Sequence, residues 1–498
     1  MQPHVQENSK QITHDEVASG LALFTAWVEA QMAYHDLPGL SVGVIHDQTL
    51  IWSRGFGYAD VARKTPTTPT TLYRIASMTK LFTSTAIMQL RDAGLLQLDD
   101  PVKKHLPWFQ IRNPYPDAPA ITIRHLLTHA SGLPREAAFP YWNTNEFPTI
   151  EEVRALLPTQ ELALPTASDW KYSNLGAVLA GEIVAAVARM PYTTYVTEQI
   201  LRPLGMENTF VDAIPPDHPL LATGYGRRLP HAQRELSPYS DCRGLGPATN
   251  MTSNVEDLAQ FVMLQFRSGP RQGKQVLTGS SVREMHQAQR LNNDWSRGSG
   301  LGFLLWRLNR FTLVGQNAAL RGYRTDLQCA PADKVGVVVL TNADDGAPQL
   351  YIEKAFQWIV PALLKAGTPK PKVGEAAEAW QRYVGRYRTQ WDDRQVLIYH
   401  GELVVIVPLD PDPLASMLKL KPLGPDVRAP QTSTSDSTEH VEGSVESSNE
   451  GTREHTFRIE TRSPFSMNGE MAIFELDGAG KVTRLKLCSY YTYPIEEW

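Results

Sequence analysis

Apolar residues alternate with a period of two across residues 40–46 and 49–56, on either side of Asp47-Gln48. They do so again from Gly300, across 301–306, 311–314, 322–329 and 335–340. The first block predicts a β-hairpin and the second a run of antiparallel strands. Ahead of the first block and between the two, the spacing is helical: Val17, Leu21, Phe24, Val28 and Met32 within 14–35, then Leu81, Phe82, Ala86, Ile87 and Leu90, then Leu179, Ile183, Val184 and Val187. Helices that interrupt two halves of a strand pattern predict one antiparallel sheet built from both ends of the segment. That is an α+β layout, with helices flanking the sheet and an all-helical subdomain between its halves.

At 498 residues the chain is too long for one ordinary core. The first domain is expected over 14–366, and Pro369-Lys370-Pro371-Lys372 reads as a linker. Over 375–498 the strands become short and regular: 385–388, 396–399, 403–407, 417–420, 457–459, 471–476 and 482–487. They predict a small β-barrel. Residues 425–455, rich in Ser, Thr, Glu and Pro, bury too little apolar surface to offset ordering entropy, so a disordered insertion is expected there.

A net charge of −5 with 20% charged residues leaves no basic footprint for nucleic acid or a membrane surface, so the expected partner is a small molecule or short peptide. The longest apolar run, 175–188, is interrupted by Glu182 and falls short of the roughly 18 residues a membrane span needs. The first residues carry no basic stretch followed by an apolar one. The expectation is therefore a cytoplasmic location, or a periplasmic or secreted one if a leader has been removed. Cys242, Cys329 and Cys488 are scattered and odd in number, against both a disulfide framework and a zinc cluster; no metal or cofactor is implied.

Within this frame one stretch carries chemistry. Ser77 stands where an amphipathic helix begins, and Lys80 follows one turn later on the same face. Unpaired first-turn amides favour an oxyanion there, and a nearby amine can lower the hydroxyl's pKa or accept its proton. The spacing alone is common: Ser168/Lys171 and Ser416/Lys419 repeat it, but without an amphipathic run and beside Pro165 and Pro413. Gly39-Leu40-Ser41-Val42-Gly43 matches a nucleophile elbow literally. Such an elbow needs a strand, a sharp turn and a helix, whereas Ser41 sits in a continuing strand pattern. His125 and His129 are four apart, but Leu126 occupies the place of a metalloprotease glutamate, so they read as histidines bonding loop backbone. Tyr172 and Asn174 precede a strongly apolar helix, Tyr172 in the loop and Asn174 as a cap or substrate ligand; Tyr141-Trp142-Asn143 shows the same spacing elsewhere.

Ser77-Met78-Thr79-Lys80, Tyr172-Ser173-Asn174, Gly315-Gln316-Asn317-Ala318-Ala319-Leu320-Arg321-Gly322-Tyr323 and the segment from His125 to Pro134 occur in an order that resembles the serine β-lactamase and penicillin-binding-protein-like hydrolases. The class C-like branch, with its esterases and D-aminopeptidases, is the most similar. The resemblance covers residues 20 to 360, and 375–498 resembles the lipocalin-like barrel that follows this domain in several relatives. It implies a serine hydrolase that forms an acyl-enzyme on Ser77, with Lys80 as its partner and Tyr172 as general base. It further implies that Asn174 binds the acyl side, that Gln316, Asn317 and Ala318 line the substrate site, and that the amides of Ser77 and Ala319 form the oxyanion hole. A small ester or short peptide is the implied substrate. A β-lactamase or D-peptidase proper, or a non-catalytic scaffold retaining the fold, are the alternatives.

The third motif departs from the family pattern. Relatives carry His or Lys where this chain has Gln316, which forms hydrogen bonds but holds no charge. A poor β-lactamase is therefore expected, preferring substrates without a carboxylate at that place. Arg321 and Arg324 are cations that could make up the charge, but both read as surface residues.

Overall fold

The computed structural model describes residues 15–269, 275–367, 380–399, 401–410, 416–423, 455–461 and 467–495. The linker at 369–372 and, apart from His455, the insertion expected at 425–455 lie outside the described residues. Contacts divide the chain into two compact units, Met1–Gly367 and Thr368–Trp498.

The first unit is organised by a nine-stranded sheet in the order Thr65–Pro66, Thr49–Asp60, Gly39–His46, Val335–Thr341, Tyr323–Ala330, Phe311–Leu320, Leu304–Leu308, Arg297–Ser299 and Arg290–Leu291. The N-terminal hairpin joins the later strands antiparallel through Gly39–His46 and Val335–Thr341, with Leu40 opposite Thr341 and His46 opposite Val335. Both central strands are buried on both faces, which their nearly unbroken apolar runs demand. One face packs on Asp15–His35 and Pro348–Trp358, around Phe24, Val28, Tyr351 and Phe356. The other packs on Val255–Leu264, with Thr79–Asp92 and Asn174–Ala188 beyond it in the larger core.

Thr79–Asp92 is almost wholly buried although Thr83, Ser84 and Thr85 lie in its middle. The hydroxyls of Ser84 and Thr85 donate to carbonyls one turn back, on Lys80 and Leu81, each at 2.8 Å, and Thr83 donates to the Pro247 carbonyl at 2.7 Å and shares a hydrogen bond with Tyr192. Each hydroxyl is thus satisfied, two within the helix and one by neighbouring segments, and the segment is buried at little polar cost. Phe82 then sets its ring 4.4 Å from that of Phe261, the two tilted by 34°.

One strand expectation needs correction, and two short strands were not expected. The strand expected over 301–306 begins only at Leu304. Gly302, at φ +82°, donates to the Leu127 carbonyl and lies so close to Ser84 that a Cβ there would sit 1.9 Å from its Oγ. The segment 300–303 is bent onto the helix Thr79–Asp92, which breaks the ladder despite its apolar residues. The short strands Arg290–Leu291 and Arg297–Ser299, too polar to show a period of two, extend the sheet instead.

The second unit is a closed eight-stranded antiparallel barrel. Seven of its strands were expected. The eighth, Tyr490–Pro494, closes the ring by pairing with Gly385–Arg388. Its interior is filled with side chains, among them Tyr387, Leu403, Phe457, Ile459 and Leu485, with Tyr383 stacked on Phe474 at 4.4 Å.

Candidate active site

Strand Tyr73–Arg74 leads into Ala76, which adopts φ +45°, a strained conformation for a residue with a Cβ. The turn is held by Ile75 N–H on the Met251 carbonyl at 2.9 Å and by the Thr79 hydroxyl on the Ala76 carbonyl at 2.6 Å. Ser77 lies in the single 3-10 turn Ala76–Met78, just before the α-helix at Thr79 rather than inside it. The left-handed Ala76 turns the chain sharply out of its strand before the helix starts, so Ser77 falls at the bend.

Lys80, only 4% exposed, reaches back from the first helical turn. Its Nζ donates to Ser77 Oγ at 3.3 Å, Asn174 Oδ1 at 2.8 Å and the Ala248 carbonyl at 2.9 Å. Three acceptors match three ammonium hydrogens. The Tyr172 hydroxyl donates to Ser77 Oγ at 2.9 Å from a loop 95 residues away in sequence. Asn174 is the first residue of Asn174–Ala188; the cap is Ser173, whose Oγ accepts from Gly176 N–H at 2.9 Å. The Asn174 amide is thereby free of capping and available to Lys80.

Sequence reasoning missed Glu136. Its carboxylate accepts both contacts from Asn174 Nδ2, at 2.8 and 3.0 Å, one from the Tyr141 hydroxyl at 2.5 Å and one from Arg135 Nε at 3.1 Å. Burial, and after it the Glu136 charge, push the Tyr141 phenol far above its usual range, so it remains a donor. No pattern in the sequence marks Glu136: it stands in a loop after Pro134, and only folding brings it to Asn174.

His125 and His129 do not share a helix face. The helix Ile123–Leu127 ends before His129, whose φ is +55°, and His125 Nδ1 accepts from Thr122 N–H in a capping box. His129 Nδ1 accepts from Ser173 N–H at 3.3 Å, and its ring lies 4.5 Å from that of Tyr172. Burial first, then the Lys80 and Arg135 charges, hold its pKa down at about 3, so it is a neutral support for the Tyr172 loop. Ser41 is buried in its strand, donating to the Thr68 carbonyl at 2.8 Å and sharing a hydrogen bond with Tyr73. Among the described residues, no group of three or more His, Cys, Asp or Glu side chains is placed to hold a metal ion.

The third motif runs along Phe311–Leu320, which packs against the Ser77 turn. Its neighbour Leu304–Leu308 pairs only as far as Gly315, so from Gln316 onward that edge has no described partner strand. Gln316 is 2% exposed and its Nε2 donates to the Asn317 carbonyl at 3.0 Å. Asn317 and Ala319 are exposed and Ala318 is buried. With Ser77, Tyr172, Asn174, Glu136, Arg135, Trp142, Trp170 and Trp306, these four residues line one cleft of about 1620 Å³. Arg324 also lines it, its Nε on the Asp344 carbonyl at 2.7 Å, while Arg321 is exposed and outside the lining.

A protein-family model named Beta-lactamase matches residues 24–359. The chain belongs to the Beta-lactamase family. Among curated proteins, Beta-lactamase-like protein 2 of Dictyostelium discoideum is 27% identical over 343 residues, which are 67% of this chain and 61% of that protein. This chain thus spans less than two thirds of that relative's length. Among solved structures, the octameric penicillin-binding protein homologue from Pyrococcus abyssi matches with TM-score 0.60 at 23% identity, covering 95% of this chain and 99% of its own. The D-amino acid amidase from Ochrobactrum anthropi SV3, complexed with D-phenylalanine, matches with TM-score 0.57 at 24% identity, covering 70% of this chain and 98% of its own. At such identities these structures share the fold. The family's fold is the one described here, an antiparallel sheet flanked by helices, and in this chain an eight-stranded barrel follows it. Among the described residues no single helix is long and apolar enough to cross a membrane.

Proposed function

We propose that this chain is a serine hydrolase cleaving small esters or amides through an acyl-enzyme on Ser77. The observation that carries the reading is the convergence of Lys80 Nζ and Tyr172 Oη on Ser77 Oγ, at 3.3 and 2.9 Å, in an open cleft. Tyr172, once its own proton has left to solvent, takes the Ser77 proton as Ser77 Oγ attacks the substrate carbonyl. The amides of Ser77 and Ala319 receive the oxyanion, and Tyr172 returns the proton to the departing alkoxide or amine. Water then attacks the ester on Ser77, gives up its proton by the same route and frees the acid. Lys80, satisfied by three acceptors, holds Ser77 and Asn174 in register throughout.

Glu136 supports a finer reading. A carboxylate held against Asn174, on the acyl side of the site, favours acyl groups that carry a protonated amine. The substrate class is then aminoacyl esters and amides, short peptides included. The fold shared with an amidase of amino acids is consistent with this.

A fluorophosphonate probe tests the first part: stoichiometric labelling of the wild type and none of Ser77→Ala is expected, whereas equal labelling of Ser77→Ala would refute it. Parallel rates on p-nitrophenyl acetate and on L- and D-aminoacyl p-nitroanilides divide ester from amide preference.

A further inference from the structure

The third motif leaves Tyr172 without the cation that this chemistry calls for. Gln316 carries no charge, and its amide is turned onto its own strand. The groups facing the Tyr172 ring are Lys80, with Nζ 4.9 Å from the ring centroid; Arg135, with its guanidinium carbon at 5.0 Å; the His129 ring at 4.5 Å; and the Trp170 ring at 6.2 Å. His129 is neutral in the working range, since burial and the two cations keep its pKa at about 3. Arg135 is therefore the one described cation besides Lys80 placed on this ring, and Glu136, which accepts its Nε at 3.1 Å, holds it there. Lys80 is committed to three acceptors deep in the site.

We infer that Arg135 is a positioning residue for the reaction, supplying from the loop after Pro134 a positive charge that Gln316 in the third motif cannot. The inference rests on the acyl-enzyme reading above. With Tyr172 ionised before attack, the negative charge on its phenol oxygen is offset from Lys80 on one element and Arg135 on another, and it is discharged when the phenol takes the Ser77 proton. The Arg135–Glu136 contact is exposed on the arginine side, 63%, so it contributes little to stability, and its use lies in aiming the guanidinium.

The test uses the full chain and p-nitrophenyl acetate, an uncharged substrate that Arg135 has no charge to bind. In Arg135→Gln the acidic limb of kcat/KM is expected to move to higher pH, with a loss of about tenfold near pH 7. Arg135→Lys should keep the limb near its wild-type position, and Arg135→Gln combined with Gln316→Lys should move it at least halfway back. The exposed Arg135 side chain makes the single variants folding-tolerant, and the double variant, which adds a lysine at the buried Gln316, is read only where its circular dichroism melt matches the wild type. A limb unmoved in Arg135→Gln, or a loss confined to KM, overturns the inference while leaving the acyl-enzyme reading intact. A wild type that takes no fluorophosphonate label overturns both.

Discussion

Asp326 offers a quantitative check on the fold around the third motif. It lies in Tyr323–Ala330, opposite Asn317 on one side and Val339 on the other, fully buried. Burial pushes its pKa up to about 7, only partly offset by Gln328 Nε2, which donates to Oδ2 at 2.9 Å, and by the Leu327 N–H. The folded chain therefore keeps a proton that the unfolded chain releases near pH 4, so stability falls as pH rises through that window and levels off above pH 7. Between pH 5 and pH 8 this one group should cost about 2 to 3 kcal/mol. Asp257, raised to about 6 by burial, acts in the same direction. His129 at about 3 and His286 at about 4 act in the opposite one, since a buried neutral histidine loses stability as pH falls below its unfolded value. The wild type can therefore look nearly flat, and the informative quantity is the difference from Asp326→Asn. That variant keeps the shape and the Gln328 hydrogen bond but cannot ionise. Urea unfolding of the first unit at pH 5 and pH 8 should show Asp326→Asn gaining about 2 to 3 kcal/mol on the wild type at the higher pH. Equal pH slopes for the two proteins would refute the burial argument.

Three further outcomes follow from the same contacts. Glu136→Gln should cut kcat/KM about tenfold or more on free aminoacyl p-nitroanilides while leaving N-acetylated analogues within about threefold, because only the former present a cation to the lost charge; an equal loss on both would remove the ammonium reading. Tyr172→Phe keeps the ring against His129 but deletes the hydroxyl on Ser77, so hydrolysis should fall about 10²–10⁴-fold without a change in melting temperature; near wild-type rates would show that another group moves the proton. Gly302→Ala, at φ +82° with its Cβ on Ser84 Oγ, should lower stability by at least about 2 kcal/mol in a thermal melt, and an unchanged melt would mean that the 300–303 bend is not pinned there.

Strand and helix periodicity is a local property, and it carried most of the architecture. The hairpin at Gly39–His46 and Thr49–Asp60, the strand Val335–Thr341 and the helix Asp15–His35 fall where alternating and helical spacing placed them. The pattern failed where a contact from elsewhere overrode it. Segment 300–303 is apolar yet bent, because Ser84 and Leu127 hold Gly302. The strand Tyr490–Pro494 shows no clean alternation, because its register is imposed by barrel closure on Gly385–Arg388. Thr83, Ser84 and Thr85 are buried because Ser84 and Thr85 donate one turn back and Thr83 donates to the Pro247 carbonyl.

By itself the sequence determined which groups the chain could bring to chemistry: a serine with a lysine one turn on, a tyrosine and an asparagine before an apolar helix, and a third motif without its charge. Only the tertiary structure decided which of them meet. It placed Tyr172 on Ser77, brought Glu136 to Asn174 and Arg135 to the Tyr172 ring, and left Ser41 in a strand core. The physical reason is range: backbone preference and apolar spacing act over a few residues, whereas a hydrogen bond across 95 residues or a charge set against a ring exists only once the intervening chain has packed.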